Sequence, residues 1–156
     1  MKILITGMSG TGTTTALDGL SARGWDTIDT DYGPWKIPGS DGDDIWDESR
    51  MDRLLAATDT DQHLAISGCV ANQGRFYDRF DAVILLTAPI EIMLDRVMRR
   101  TTNDYGKTPE QRAEIRTNTA NVEPRLRANA DLVIDTSLST EDEVVAKILA
   151  FISGNG

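Results

Sequence analysis

Gly7-Met8-Ser9-Gly10-Thr11-Gly12-Thr13-Thr14-Thr15 decides how the rest of the chain reads. It follows the apolar run Lys2–Thr6 (Lys-Ile-Leu-Ile-Thr) directly and leads into Ala16, Leu17 and Leu20, an apolar stripe at helical spacing. Strand, glycine-rich turn and helix are therefore expected in that order. Glycines let a backbone fold tightly enough for consecutive N–H groups to converge on an anion. The start of a helix adds the positive end of its dipole. The plain alternative is a Gly/Thr-rich turn with no ligand. The strand before it, the helix after it and the extra glycine at Gly10 argue against that.

Outward from this turn, short apolar runs recur at Trp25–Asp31, Leu64–Cys69, Ala82–Ala88 and Leu132–Thr136. Val83-Ile84-Leu85-Leu86 is continuously apolar, as expected of a strand covered on both faces, which favours a parallel sheet. Helical stripes lie between the runs: Met51, Leu54 and Leu55, then Ile90, Met93, Leu94 and Val97 behind Pro89. Thr140 and Glu143 form a capping-box signature ahead of Val144, Val145, Ile148, Leu149 and Ile152. Alternating strands and helices predict an α/β fold of three layers, with ligands bound beyond the carboxyl ends of the strands.

At 156 residues the chain suits one domain. Sixteen Lys plus Arg against 25 Asp plus Glu leave a net charge of -9, which disfavours a nucleic acid polymer as partner. Cys69 is the single cysteine, which excludes an internal disulfide and suits a reducing compartment. No run approaches the roughly 20 apolar residues of a membrane span. The early glycines do not suit a signal peptide. A cytoplasmic protein with no membrane partner is expected, and a monomer at this size.

Two stretches resist the strand–helix pattern. Tyr32–Asp47 is rich in Gly, Pro and Asp and carries Trp35 and Trp46; Thr101–Thr108 is polar and flanked by arginines. Long polar loops at the ligand rim tend to be binding loops or lids.

The pattern of a nucleotide P-loop is Gly, four residues, then Gly-Lys-Ser/Thr. Gly7 and Gly12 have that spacing and Thr14 sits at the magnesium-ligand position, but Thr13 occupies the lysine position. The lysine normally supplies a point charge to the β- and γ-phosphates. Three explanations stay open: another cation substitutes, Lys107 or a lid arginine being the candidates; the site binds nucleotide but turns over poorly; or Thr13 is an introduced change.

In order of elements the chain resembles the P-loop small-molecule kinases, the group of shikimate kinase, gluconate kinase and adenylate kinase. The resemblance implies a five-stranded parallel sheet of order 2-3-1-4-5, ATP with Mg2+, and a lid over the phosphates. It implies an acceptor-binding insertion at about 32–58 and a lid at about 100–116. The nucleotide would be held by Gly7, Gly10, Thr11, Gly12, Thr13, Thr14 and Thr15. Asp29-Thr30-Asp31 is similar to the Asp-X-Asp of shikimate kinase, where the first Asp supports magnesium and the second faces the acceptor hydroxyl. Thr14 and Asp29 would thus serve the metal and Asp31 the acceptor, although Asp at a strand end is also a common turn former.

Ser67-Gly68-Cys69 resembles the small residues lining the acceptor pocket, with Gly68 letting the backbone approach a ligand. Arg75 either binds an anionic acceptor or is solvated. Trp35 and Trp46 either wall the acceptor or plug a small core. Arg96, Arg99 and Arg100 share a helical face. With Lys107, Arg112 and Arg116 they resemble an arginine-flanked lid, the alternative being surface arginines paired with Asp95, Glu110 and Glu114. Within that lid Arg96 resembles the adenine-side arginine, Arg100 and Lys107 would offset phosphoryl charge, and Thr136 would border the adenine.

The expectation is an ATP-dependent kinase transferring the γ-phosphoryl to a small polar metabolite or nucleoside monophosphate. The alternative is a nucleotide-binding protein with weak or lost transfer.

Overall fold

The computed structural model describes residues 1–59, 61–101 and 103–154. Five strands form one parallel sheet: β1 (Lys2–Thr6), β2 (Asp26–Asp29), β5 (Leu64–Ser67), β6 (Ala82–Thr87) and β7 (Leu132–Asp135). Its order is β2-β5-β1-β6-β7. A separate antiparallel hairpin is made by β3 (Lys36–Pro38) and β4 (Asp44–Trp46). With the hairpin set aside, this is the expected 2-3-1-4-5 arrangement. The helices are α1 (Thr13–Ser21), α2 (Glu48–Ala57), α3 (Ile90–Arg99), α4 (Pro109–Asn129) and α5 (Glu141–Gly154).

Successive strand residues face opposite sides of a pleat, so an all-apolar strand must be covered twice. Ile3 and Ile5 of β1, with Ile84 and Leu86 of β6, pack against Leu17 and Leu20 of α1 and Val145 and Ile148 of α5. Leu4, Ile66 and Val83 point the other way, onto Met51 and Leu55 of α2, Trp46 and Phe76. A third cluster joins Met93, Leu94 and Val97 of α3 to Ile115 of α4. The second half of the expected insertion is thus α2, a helix that covers the sheet.

Capping defines the ends. Asp47 accepts from the Arg50 amide at the start of α2, and Thr140 Oγ1 accepts from the Glu143 amide at the start of α5, 3.2 Å away. α4 opens with Pro109 at a position that tolerates it and a complete capping box between Thr108 and Gln111. No helix among the described residues is long and apolar enough to cross a membrane.

Candidate active site

β1 lies in the middle of the sheet and delivers the glycine-rich loop beyond its carboxyl end. Gly10 and Gly12 adopt φ of 84° and 96°, a region that side chains with a Cβ avoid. A Cβ on Gly10 would lie 2.5 Å from the Met93 carbonyl oxygen, so this glycine lets the loop sit directly on α3. Gly12 is the N-cap of α1 and has no side chain to cap with, and no acidic residue occupies the first turn. Among the described residues, the amides of Thr13, Thr14 and Thr15 have no acceptor. They stand as free donors at the positive end of the helix.

Thr11 plays another part. Its amide and its hydroxyl both donate to the Met8 carbonyl, at 3.2 and 2.8 Å, and the side chain is buried. Its carbonyl accepts from Thr136 Oγ1 at 2.8 Å. Thr11 therefore pins the loop from inside, and the expectation that its amide meets a ligand is corrected: that amide is already used. Thr136 is buried in the turn that follows β7. Arg96 ties the same parts together, donating to the Gly10 carbonyl at 3.2 Å and to Thr136 Oγ1 at 2.7 Å.

The Asp-X-Asp segment ends β2. Thr30 turns inward, donates to the Ser67 carbonyl at 2.8 Å and accepts from Trp46 Nε1 at 3.0 Å. The strand ends there in a turn closed by the Tyr32 amide donating to the Asp29 carbonyl at 3.1 Å, which leaves Asp29 half-buried and Asp31 exposed. Asp29 Oδ2 accepts from Thr14 Oγ1 at 3.1 Å, and Asp29 Oδ1 accepts from the Asp31 amide at 3.1 Å. The two residues expected to serve magnesium are thus in direct contact. Asp31 Oδ1 accepts from Lys36 Nζ at 3.0 Å, a partner in β3 that the sequence reading did not single out.

Other expected acceptor residues are placed differently. A Cβ on Gly68 would run into Thr30 Oγ1 and lie 3.0 Å from the Trp46 ring. The glycine therefore makes room for the indole, which corrects its assignment as a ligand approach. Trp46 is the core plug, fully buried against Phe76. Trp35 is half-buried against the same cluster, while Tyr32, next to Asp31, is 54% exposed. Arg75 pairs with Glu48 at 3.2 Å on the surface. Buried Gln73, also unforeseen as a support, donates to Thr6 Oγ1 at 3.1 Å at the end of β1. Burial pushes the Cys69 thiol up, Thr6 partly offsets this by hydrogen bonding, and the Asp31 charge adds to the rise.

The segment joining α3 to α4 is tied down, with Thr102 outside the described residues. Lys107 Nζ donates to the carbonyls of Val97, Met98 and Arg100 at 2.6, 2.8 and 2.6 Å. All three ammonium protons thus cap the C-terminus of α3. This corrects the expectation that Lys107 stands in for the loop lysine: no proton is left for a phosphate. Arg112 donates to the Lys107 carbonyl at 2.9 Å. Arg100 donates to the Tyr105 carbonyl at 2.8 Å, and its Nε is a buried donor without a partner among the described residues. Arg99 pairs with Asp95 and Arg116 with Glu91 on the surface. Two turns of α4 make up the rest of the expected lid.

The profile of the AAA domain matches residues 3–117, from β1 into α4. The chain belongs to the AAA domain family. Shikimate kinase from Acinetobacter baumannii in complex with shikimate superposes with a TM-score of 0.71 at 22% identity, over 99% of this chain and 93% of its own. A gluconokinase from Sinorhizobium meliloti 1021 gives 0.63 at 20%, over 97% and 91%. Deoxyadenosine kinase from M. mycoides with bound dATP gives 0.59 at 14%, over 96% and 99%. No curated protein sequence matches this chain. By fold, this AAA domain is a three-layer α/β structure whose five-stranded parallel sheet is shared with those kinase structures.

Proposed function

We propose that this protein is an ATP-dependent phosphotransferase acting on a small polar metabolite or nucleoside monophosphate. The observation that carries it is the Thr14–Asp29 hydrogen bond beside the free amides of α1. A hydroxyl and a carboxylate are hard oxygen donors, and Mg2+ commonly takes one or two such groups plus phosphate oxygens and water. The donor set therefore fits that ion. Bound there, Mg2+ would neutralise charge on the β- and γ-phosphates.

The amides of Gly12, Thr13, Thr14 and Thr15 hold the β-phosphate, and Arg96 and Thr136 shape the base side. The buried Arg100 Nε gains a partner when an anion enters beneath the lid, removing the cost of an unpaired buried donor. Asp31 orients the acceptor hydroxyl and takes its proton. The bond from that oxygen to the γ-phosphorus forms as the bond to the β,γ-bridging oxygen breaks, and ADP leaves. Likeness to kinases of metabolites and of a nucleoside supports this reading.

A second reading, nucleotide binding with weak or lost transfer, is favoured by Thr13 and by the capping role of Lys107. A metabolite-pool screen with γ-labelled ATP separates the two. A labelled product from wild-type protein supports transfer. Nucleotide binding without product from any pool supports the second reading.

A further inference from the structure

Thr13 leaves the loop without an ammonium, and of the lid cations Lys107, Arg96 and Arg112 are engaged elsewhere, while Arg100 keeps a buried Nε with no partner among the described residues. Lys107 is spent on three carbonyls, Arg96 on Gly10 and Thr136, and Arg112 on Lys107. On the acceptor side, a chain of hydrogen bonds runs from the first turn of α1 to a different cation. Thr14 joins Asp29, Asp29 joins the Asp31 amide, and Asp31 joins Lys36, at 3.1, 3.1 and 3.0 Å.

The backbone of Lys36 is tied to the same place. Lys36 pairs with Trp46 in the hairpin register, and the Trp46 indole is fixed to Thr30, between the two aspartates. The Lys36 side chain is only 26% exposed, against 61% for Asp31. An ammonium has three donors. Lys36 uses one among the described residues, where Lys107 uses three. Electrostatics also calls for a cation here. Asp29 and Asp31 would otherwise face a polyphosphate as like charges, in a chain of net charge -9.

We propose that Lys36 is a catalytic residue of this site: its ammonium contacts the terminal phosphate oxygens from the acceptor side, supplying the charge that Thr13 does not. The assignment deepens the phosphotransferase proposal and rests on it. In that role Lys36 would offset the repulsion between Asp31 and the terminal phosphate while its hydrogen bond keeps Asp31 oriented. With Asp31 61% exposed, the Lys36–Asp31 pair is screened by water and contributes little to folding. Replacing Lys36 should therefore alter phosphate recognition and spare the fold.

Calorimetric titration of magnesium-ADP and magnesium-AMP-PNP into wild type, Lys36→Met, Lys36→Arg and Thr13→Lys/Lys36→Met tests this. Lys36→Met should bind AMP-PNP about tenfold or more weakly, the scale of one lost charge-assisted contact, while ADP affinity changes by no more than about twofold. Lys36→Arg should retain most of the AMP-PNP affinity, and Thr13→Lys should restore it in the Lys36→Met background. Wild-type affinity in Lys36→Met, an equal loss for both nucleotides, or no restoration by Thr13→Lys would each overturn the role of Lys36 and leave the phosphotransferase proposal standing. If wild type binds neither nucleotide, both proposals fail. Matching unfolding transitions without ligand show that the variants are folded; should Lys36→Met unfold early, Lys36→Gln takes its place in the same comparison.

Discussion

Thr14 Oγ1 donates to Asp29 Oδ2 at 3.1 Å, linking the first turn of α1 to the end of β2. Residues that are 15 apart in sequence are thereby brought to one point where the sheet opens. If this pair serves Mg2+, Thr14→Val and Asp29→Asn should each weaken magnesium-ADP binding by roughly tenfold, the scale of one charge-assisted interaction. Binding of ADP with the metal chelated should change much less. Calorimetry with and without EDTA measures both. Equal losses in the two conditions would remove the pair from the metal.

Gly10 sits at φ 84° with no room for a Cβ beside the Met93 carbonyl. Gly10→Ala should destabilise the protein by about 2–4 kcal/mol, combining left-handed backbone cost with overpacking. Urea denaturation gives the value. A change under about 0.5 kcal/mol, the range of an ordinary surface substitution, would show that the loop does not rest on α3 as described.

Lys107 caps α3 through three carbonyls. Lys107→Ala should cost about 1–2 kcal/mol of stability, a favourable cation at a helix C-terminus having that upper range. It should also make the α3–α4 connection easier to cleave in limited proteolysis. ADP affinity should stay near wild type. Intact proteolytic resistance together with lost nucleotide affinity would instead restore Lys107 to the phosphates.

Burial, reinforced by the nearby Glu114 carboxylate, pushes the Tyr105 phenol up to about 12 from 10.0, with Arg100 acting in the opposite sense. A raised folded-state value means the protonated phenol favours the folded state. That contribution is whole below about pH 10 and is lost as pH rises toward about 12. Absorbance titration at high pH should show a late-ionising tyrosine that Tyr105→Phe removes. Loss of a tyrosine that ionises at the ordinary value would contradict the environment assigned to Tyr105.

How much of this was legible in the sequence depended on the strength of local pattern. The five parallel strands read correctly because runs such as Val83–Leu86 are apolar on both faces and stay so in the sheet. The hairpin did not, since Lys36-Ile37-Pro38 and Asp44-Ile45-Trp46 are three residues each and are held largely by Trp46 and Asn72. α4 hid for another reason: over 21 residues it buries only Ile115, Thr119 and Leu126, too thin a stripe for periodicity to reveal, and it contains Pro124. Thr108 and Gln111 did carry a capping signal that went unread.

At the site, the glycine loop was legible from the spacing of Gly7 and Gly12, while Asp29 was singled out only by the resemblance of Asp29-Thr30-Asp31 to the Asp-X-Asp of shikimate kinase. Gly68 was not legible, because the indole that needs its space comes from residue 46. The cations were hardest. Sequence position puts Lys107 beside the lid, but long flexible side chains take whichever acceptors the fold presents, and here those are the last carbonyls of α3. Lys36 was hidden in a stretch that read as loop, where nothing local shows its contact with Asp31.

Under the proposed function, the amides at the start of α1, which have no acceptor among the described residues, grip a polyphosphate. Amide chemical-shift mapping by NMR during titration with magnesium-ADP tests it most directly. The predicted result is that the largest shifts fall on Gly12, Thr13, Thr14 and Thr15 and saturate together with those of Asp29. Shifts that are absent, or that gather elsewhere while these amides stay still, would contradict it.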